Sequence, residues 1–439
     1  MQLMRYGLQY SLKSLYDEKM KARKILSAVS AIIIFLTTIN QHAKGNDWAQ
    51  WRGLKHDGIA DSNQDPPIKF SSEENVLWST KVPGRGHGSP TIYGDRIFLA
   101  TADEKIKTQT LICFNRLNGK EIWSKEVHRG GFPQKSNKKA SQASSTPATD
   151  GKLVYINFLN KGAVYTTAFD YDGNKIWQQK ISDYILHQGF STSPAIYKSL
   201  VIVSADNKSG GAICGLNHSN GKIVWKVDRP KEPNYTSPVI YKLNGRDELV
   251  FQGCNLVTSL DPNTGKKFWE VSGSTTECVS SIVTDGKRVF TSGGYPKNHV
   301  SAISADGSGK VVWENISRVY VPSMIVKEGY LYAVMDNGNA MCWNSKTGKN
   351  MWRERLNRAS SASPVLVKDR IYAVDEFGNF SVFSANPKKF KILAKNKIGD
   401  QVYATPVICD SKIFIRAAEF VDDKRQEILY CIGNKKDIK

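Results

Sequence analysis

What this sequence withholds narrows its chemistry first. Its seven cysteines include no adjacent pair and no Cys-x-x-Cys, so it carries no redox dithiol and no cysteine metal motif. Its seven histidines show no ligand-like spacing, and no metal site is expected. Beyond residue 45 no apolar run reaches the length of a membrane-spanning helix. Acidic residues are few, with 41 Asp and Glu against 61 Lys and Arg, for a formal charge of +20. That surplus favours anionic partners. No nucleic-acid motif accompanies it, so nucleic acid is not expected among them.

The first 45 residues read as an export signal. Lys21, Arg23 and Lys24 precede an apolar run from Ile25 to Leu36, and Ala43 and Gly45 offer a small-x-small cleavage site. Met20 is an alternative start. An exported, periplasmic or cell-envelope protein is expected, acting as a monomer and free of a membrane span once cleaved.

What is present is a repeat. Gly stands four residues before Trp in six places, ending at Trp123, Trp177, Trp225, Trp269, Trp313 and Trp352. A second marker, Ser/Thr-Pro, occurs at Ser89, Thr146, Ser193, Ser237, Ser363 and Thr405, with Ser280-Ser281 and Pro322-Ser323 standing in two further copies. The eight markers lie 57, 47, 44, 43, 42, 41 and 42 residues apart. Such a period must be read before anything else. Within a copy the apolar period is two, and Gly/Asn/Asp turns separate four short runs. The Gly supplies the positive φ of a hairpin turn, and the Trp has a fixed place on the outer strand.

Four strands repeated at this period predict an all-β, eight-bladed propeller of four-stranded antiparallel blades. The last copy lacks a fourth strand. Residues 76–82, with Trp78 but no Gly turn before it, are expected to fill the gap and leave no open edge. Blade seven is degenerate, with Leu393 at the expected Trp position. The domains expected are a signal at 1–45, an irregular arm at 46–74 whose Trp residues pack on the body, the propeller at 75–433 and a charged tail at 434–439. Cys113, Cys342 and Cys431 share one repeat position with Ala168, Ser259 and Ala302, which predicts a small buried slot.

Copies such as Leu260-Asp261-Pro262-Asn263-Thr264-Gly265-Lys266-Lys267-Phe268-Trp269 resemble the pyrroloquinoline-quinone-like (PQQ-like) repeat family. That family includes quinoprotein alcohol dehydrogenases and the BamB-type outer-membrane assembly factor. The opening Trp48-Ala49-Gln50-Trp51-Arg52-Gly53 with Asp57-Gly58 is similar to its exported single-propeller branch. The resemblance implies a propeller and export. A quinoprotein would also need PQQ, calcium held by oxygen ligands and a catalytic Asp, and many carry adjacent cysteines. No cofactor is expected here, PQQ and calcium belonging only to the alternative of a quinoprotein dehydrogenase. The expected function is a non-enzymatic binding scaffold for an envelope protein or anionic glycan, with an acidic-carbohydrate-binding or carbohydrate-active protein as a further alternative.

Residues entering the innermost strands converge on one face of a propeller. Counting two before each marker gives His87, Ser144, Ser191, Tyr235, Cys278, Tyr320, Ser361 and Tyr403. Arg85, Gln142, Arg318 and Gln401, four before it, are expected on the same side, with Glu277 the clearest carboxylate. This channel-mouth ring suits a small polar or anionic ligand. The basic insertion between blades one and two adds His128, Arg129, Lys135, Lys138 and Lys139, with one exposed aromatic, Phe132.

Overall fold

The computed structural model describes residues 47–134 and 137–434. The expected signal, Lys135 and the end of the charged tail lie outside the described residues. Thirty-two strands among these residues form eight four-stranded antiparallel sheets. Blade three shows the pattern: Ala195–Tyr197, Leu200–Ser204, Ala212–Asn217 and Ile223–Asp228 pair in chain order. Leu200–Ser204 is buried throughout, whereas Ile223–Asp228 buries Trp225 between exposed neighbours. The middle strands are covered by blades on both faces, and the outer strand is half solvated. Blade eight runs Val76–Val82, Lys424–Ile432, Lys412–Val421, Val407–Cys409, so both ends of the propeller segment build it.

The Gly-to-Trp spacing is a seam between blades. Trp78, Trp123, Trp177, Trp225, Trp313 and Trp352 each donate their indole N–H to a carbonyl between the third and fourth strands of the following blade, at 2.8–3.2 Å. For five of them the turn glycine of that blade lies against the indole, whereas blade seven has no such glycine and Phe390 packs on Trp352 at 5.2 Å. A Cβ on Gly221 would stand 2.5 Å from Trp177, and its φ is +72°, so this position excludes side chains twice over. Trp269 departs from the rule: its N–H meets Glu248 Oε2 at 2.8 Å, and Gly309 of the next blade lies against Val271 instead. Each Trp faces its small partner across the strand pair, Cys113 with Trp123, Cys342 with Trp352 and Cys431 with Trp78. All seven cysteines are buried and free. In blade seven the register sets Ala394 opposite Val382, so Ala394, not Leu393, occupies the Trp position.

The Ser/Thr markers form a second ring. The backbone N–H of Ser89 donates to Thr146 Oγ1, Thr146 to Ser193, Ser193 to Ser237, Ser281 to Ser323, Ser323 to Ser363 and Ser363 to Thr405, all at 2.9–3.0 Å. Blade five therefore takes part through Ser281 and blade six through Ser323, one residue later than the sequence spacing suggested. Both copies have lost the proline that marks the register. Ser363→Ala is expected to cost about 1 kcal/mol, the net worth of a buried hydrogen bond, as a shift in the urea midpoint at unchanged slope.

The arm threads the centre. Trp48 exchanges backbone hydrogen bonds with Ile92 of blade one. Ala49 O accepts from Thr149 of blade two, and Gln50 Oε1 from the Ile196 N–H of blade three. His56 O accepts from Tyr241 of blade four, Trp51 donates to Ser281 of blade five, and Arg52 donates to Met324 O of blade six. Gly58 and Ala60 bond Leu366 of blade seven, and Asp65 bonds Ser411 of blade eight. One segment thus meets all eight blades and satisfies backbone groups of the innermost strands that have no other partner strand.

Arg52 is 1% exposed, and burial lowers the pKa of its guanidinium. His56 is also buried, and desolvation pushes its imidazole down to about 4. Gln50 Nε2 lies 3.2 Å from His56 Nε2, a bond that needs this nitrogen unprotonated. Between about 4 and 6.5 the unfolded chain therefore binds more protons at His56 than the folded one. The stability this residue contributes is complete above 6.5 and is lost as pH falls toward 4. Unfolding midpoints measured from pH 7.5 downward are expected to fall through that window, and less steeply in His56→Gln.

Candidate functional site

A cavity of about 620 Å³ opens at the strand-entry end of the channel. It arises from topology: every connection from an outer strand to the next inner strand emerges at this end, so eight copies of the same loop converge. His87, Ser144, Ser191, Tyr235, Ser361 and Tyr403 line it, as do Glu277, Arg318 and Tyr320. His87 and Tyr403 pack ring to ring at 4.4 Å across the join of blades one and eight.

Glu277 is the best-connected group. It is 4% exposed, with Oε1 at 3.0 Å from His187 Nε2 and Oε2 accepting from the Tyr320 hydroxyl at 3.1 Å. Burial, and then the Glu277 carboxylate, push the ionisation of Tyr320 and Tyr235 well above the ordinary tyrosine range. Both are therefore neutral hydroxyls at physiological pH. Arg318 lies over the Tyr320 ring at 5.2 Å and donates Nη1 to Gly294 O.

Other expected positions fall elsewhere. Cys278 is fully buried and absent from the lining, where Val279 stands instead. The one-residue shift makes Val279 the equivalent position in blade five; the same shift in blade six leaves Tyr320 in the wall beside Val321. Arg85, Gln142 and Gln401 also miss the cavity wall. Arg85 donates to Lys139 O, Gln142 to Pro133 O, and Gln401 accepts from Arg425. His128 is tucked against Phe158 and Tyr165, where burial pushes it down to about 4, so it does not reach the mouth. Arg129 pairs with Glu126 on the exposed strand end, and Phe132 packs partly buried on the blade-one core. Lys138 is exposed, whereas Lys139 lines the cavity and crosses to Glu376 Oε2 of blade seven at 2.7 Å.

Further wall groups lie outside the ring defined by the markers, and one more side chain stands behind it. Trp51 comes from the arm and lines the cavity, with its N–H held by Ser281. His187 and Gln188 precede blade three, where the sequence leads one to expect them at the mouth, and both line the cavity. Glu376 stands behind the wall, in the turn between the second and third strands of blade seven, with Oε1 accepting from the wall residue Ser361 at 2.6 Å. The signal for Glu376 was available, since turns between second and third strands also emerge at the mouth.

Calcium takes about six to eight oxygen ligands. Here each carboxylate oxygen of Glu277 and Glu376 already has a partner within the chain, and the described residues hold no group of three or more His, Cys, Asp or Glu that converge. The residues do not fit a calcium-held quinone.

Eight blades, glycine–tryptophan seams and a mouth cavity define a β-propeller built from PQQ-like repeats. The chain belongs to the family described as outer membrane protein assembly factor BamB, whose model matches residues 70–184, 107–315 and 296–389. BamB of Moranella endobia is 23% identical over 375 residues, spanning 80% of this chain and 90% of its own. The crystal structure of BamB from Moraxella catarrhalis superposes with a TM-score of 0.58 at 13% identity, covering 81% of this chain and 96% of that one. A europium-containing methanol dehydrogenase superposes at 0.64 with 11% identity, covering 90% and 99%. Binder and enzyme share this fold, so the fold alone does not choose between them.

Proposed function

We propose that the protein is an exported, non-enzymatic envelope scaffold that holds a partner protein against the mouth face of its propeller. One observation carries this reading. The loops at the mouth end present Ile106, Ile185, Tyr295, Ile316, Phe377, Phe420 and Val421 to solvent. Guanidinium groups accompany the aromatic ones, Arg358 over Phe377 at 4.2 Å and Arg425 over Phe420 at 5.9 Å. Apolar side chains gathered on one face, with arginine among them, are the makings of a protein-binding surface. The BamB relatives, named as assembly factors, support the same reading.

A photo-reactive amino acid placed at Phe377 or Phe420 in living cells is expected to capture an envelope protein. The same probe at Leu117 or Lys198, in turns at the opposite end, is expected to capture none. Equal capture from both ends, or tight calcium-dependent PQQ binding, would overturn the proposal.

A further inference from the structure

We infer that the mouth cavity is a binding site for a short, carboxylate-bearing oligosaccharide. The inference rests on the mouth being the binding face, but not on the identity of the protein partner. Its argument is the pattern of donors and acceptors on the wall. The floor is the flat indole of Trp51, whose polar edge is already occupied by Ser281. That leaves an apolar ring surface for the C–H face of a pyranose. Around it stand the hydroxyls of Ser144, Ser191 and Tyr235, two-way groups that can give or take a hydrogen bond.

Glu277 and Arg318 decide the ligand class. Glu277 is a buried acceptor within the wall that already holds His187 and Tyr320, and it bars an anionic group from its own side of the cavity, so a ligand carboxylate belongs at Arg318. Ser144 is bonded to Ser141, Ser191 donates to Tyr235 O and Tyr235 accepts from the Gln188 N–H, so each hydroxyl keeps one further donor or acceptor site, which an apolar peptide would leave unused. A sugar meets both demands, because each of its hydroxyls also donates and accepts. Arg318 adds charge selection. Its Nη1 is engaged by Gly294 O and Asn298 Oδ1, but a guanidinium has five N–H groups, and its fork matches a carboxylate. The volume falls within the ~300–1,000 Å³ of small-molecule sites.

The test is calorimetry on the purified protein with trigalacturonate, with the N-acetylglucosamine–N-acetylmuramic acid disaccharide, and with neutral cellotriose. At least one carboxylated sugar is expected to bind about tenfold or more tightly than cellotriose. Which of the two binds tells a uronate polymer from a wall fragment as the source. Arg318→Gln is expected to abolish that advantage, and Trp51→Phe, which keeps a ring, to retain binding better than Trp51→Ala. Lys198→Gln, at the far end, serves as the unchanged control, and thermal melts verify that each variant is folded. Three results would each overturn the inference: no sugar binding up to about 10 mM, cellotriose bound equally well, or displacement of the sugar by an acidic peptide. The cross-linking outcome is independent of all three, so the scaffold reading and the sugar site can fail separately.

Discussion

Glu427→Ala is expected to destabilise the fold by about 3–5 kcal/mol, the usual result of stripping one partner from a buried ion pair. Glu427 Oε2 lies 2.6 Å from Arg416 Nε, with the two side chains 2% and 1% exposed. Arg425 holds the other oxygen at 2.7 Å. Arg416 also reaches across the closing seam, donating to Ala100 O at 2.6 Å and Thr101 Oγ1 at 3.1 Å of blade one. The marker ring has no link here, since the Ser89 hydroxyl finds no partner among the described residues. The charged pair thus clasps the ring where the hydroxyl bond is missing. Arg416→Met with Glu427→Leu is expected to recover much of the loss, because no fully buried charge is then stranded, and the partly exposed Arg425 keeps its bond to Gln401. Urea midpoints of the single and double variants measure this. A loss below about 1 kcal/mol in Glu427→Ala would show that the pair does not close the ring.

Trp48→Ala is expected to cost about 3–5 kcal/mol, as for a large aromatic truncated in a core. Trp48 is 4% exposed and packs in the cluster with Ile92, Val407 and Tyr372. The diagnostic lies in where the loss appears. The amides of Ile92, Thr149 and Leu366 bond to Trp48, Ala49 and Gly58 of the arm. They are expected to lose hydrogen-exchange protection together, while the Ser363 amide, bonded to Thr405, keeps its own. Uniform loss at all four would mean that the arm has no separate role and the propeller melts as a unit.

How much of this could be read beforehand depended on how many physical demands each residue answers. Gly221 is constrained by its turn and by the indole against it, so its spacing to Trp225 survives in nearly every copy and displays the blades. The marker proline fixes only a backbone angle, and without it in blades five and six the register is legible only to within one residue, so Cys278 stands where Val279 belongs. His87, Ser144, Ser191, Tyr235, Ser361 and Tyr403 of the cavity wall share one repeat position and were legible. Trp51 was not, because its partner Ser281 is 230 positions away and nothing in a local pattern brings them together. Ala394 was misread for a simpler reason. The bulge at Val382/Phe383 is shared with the other blades, but the turn that follows is longer: Val382 and its partner Ala394 are 12 positions apart, against 10 for Cys342 and Trp352.

The arm has a kinetic implication for anything the cavity holds. A ring of blades with an empty hub could pass a molecule from end to end. With a segment bonded to every blade at the hub, entry and exit share one doorway. Occupancy then depends on traffic through that doorway alone, and a partner seated on the mouth would trap whatever lies beneath it. Docking and release of the contents become ordered events: the partner must leave first.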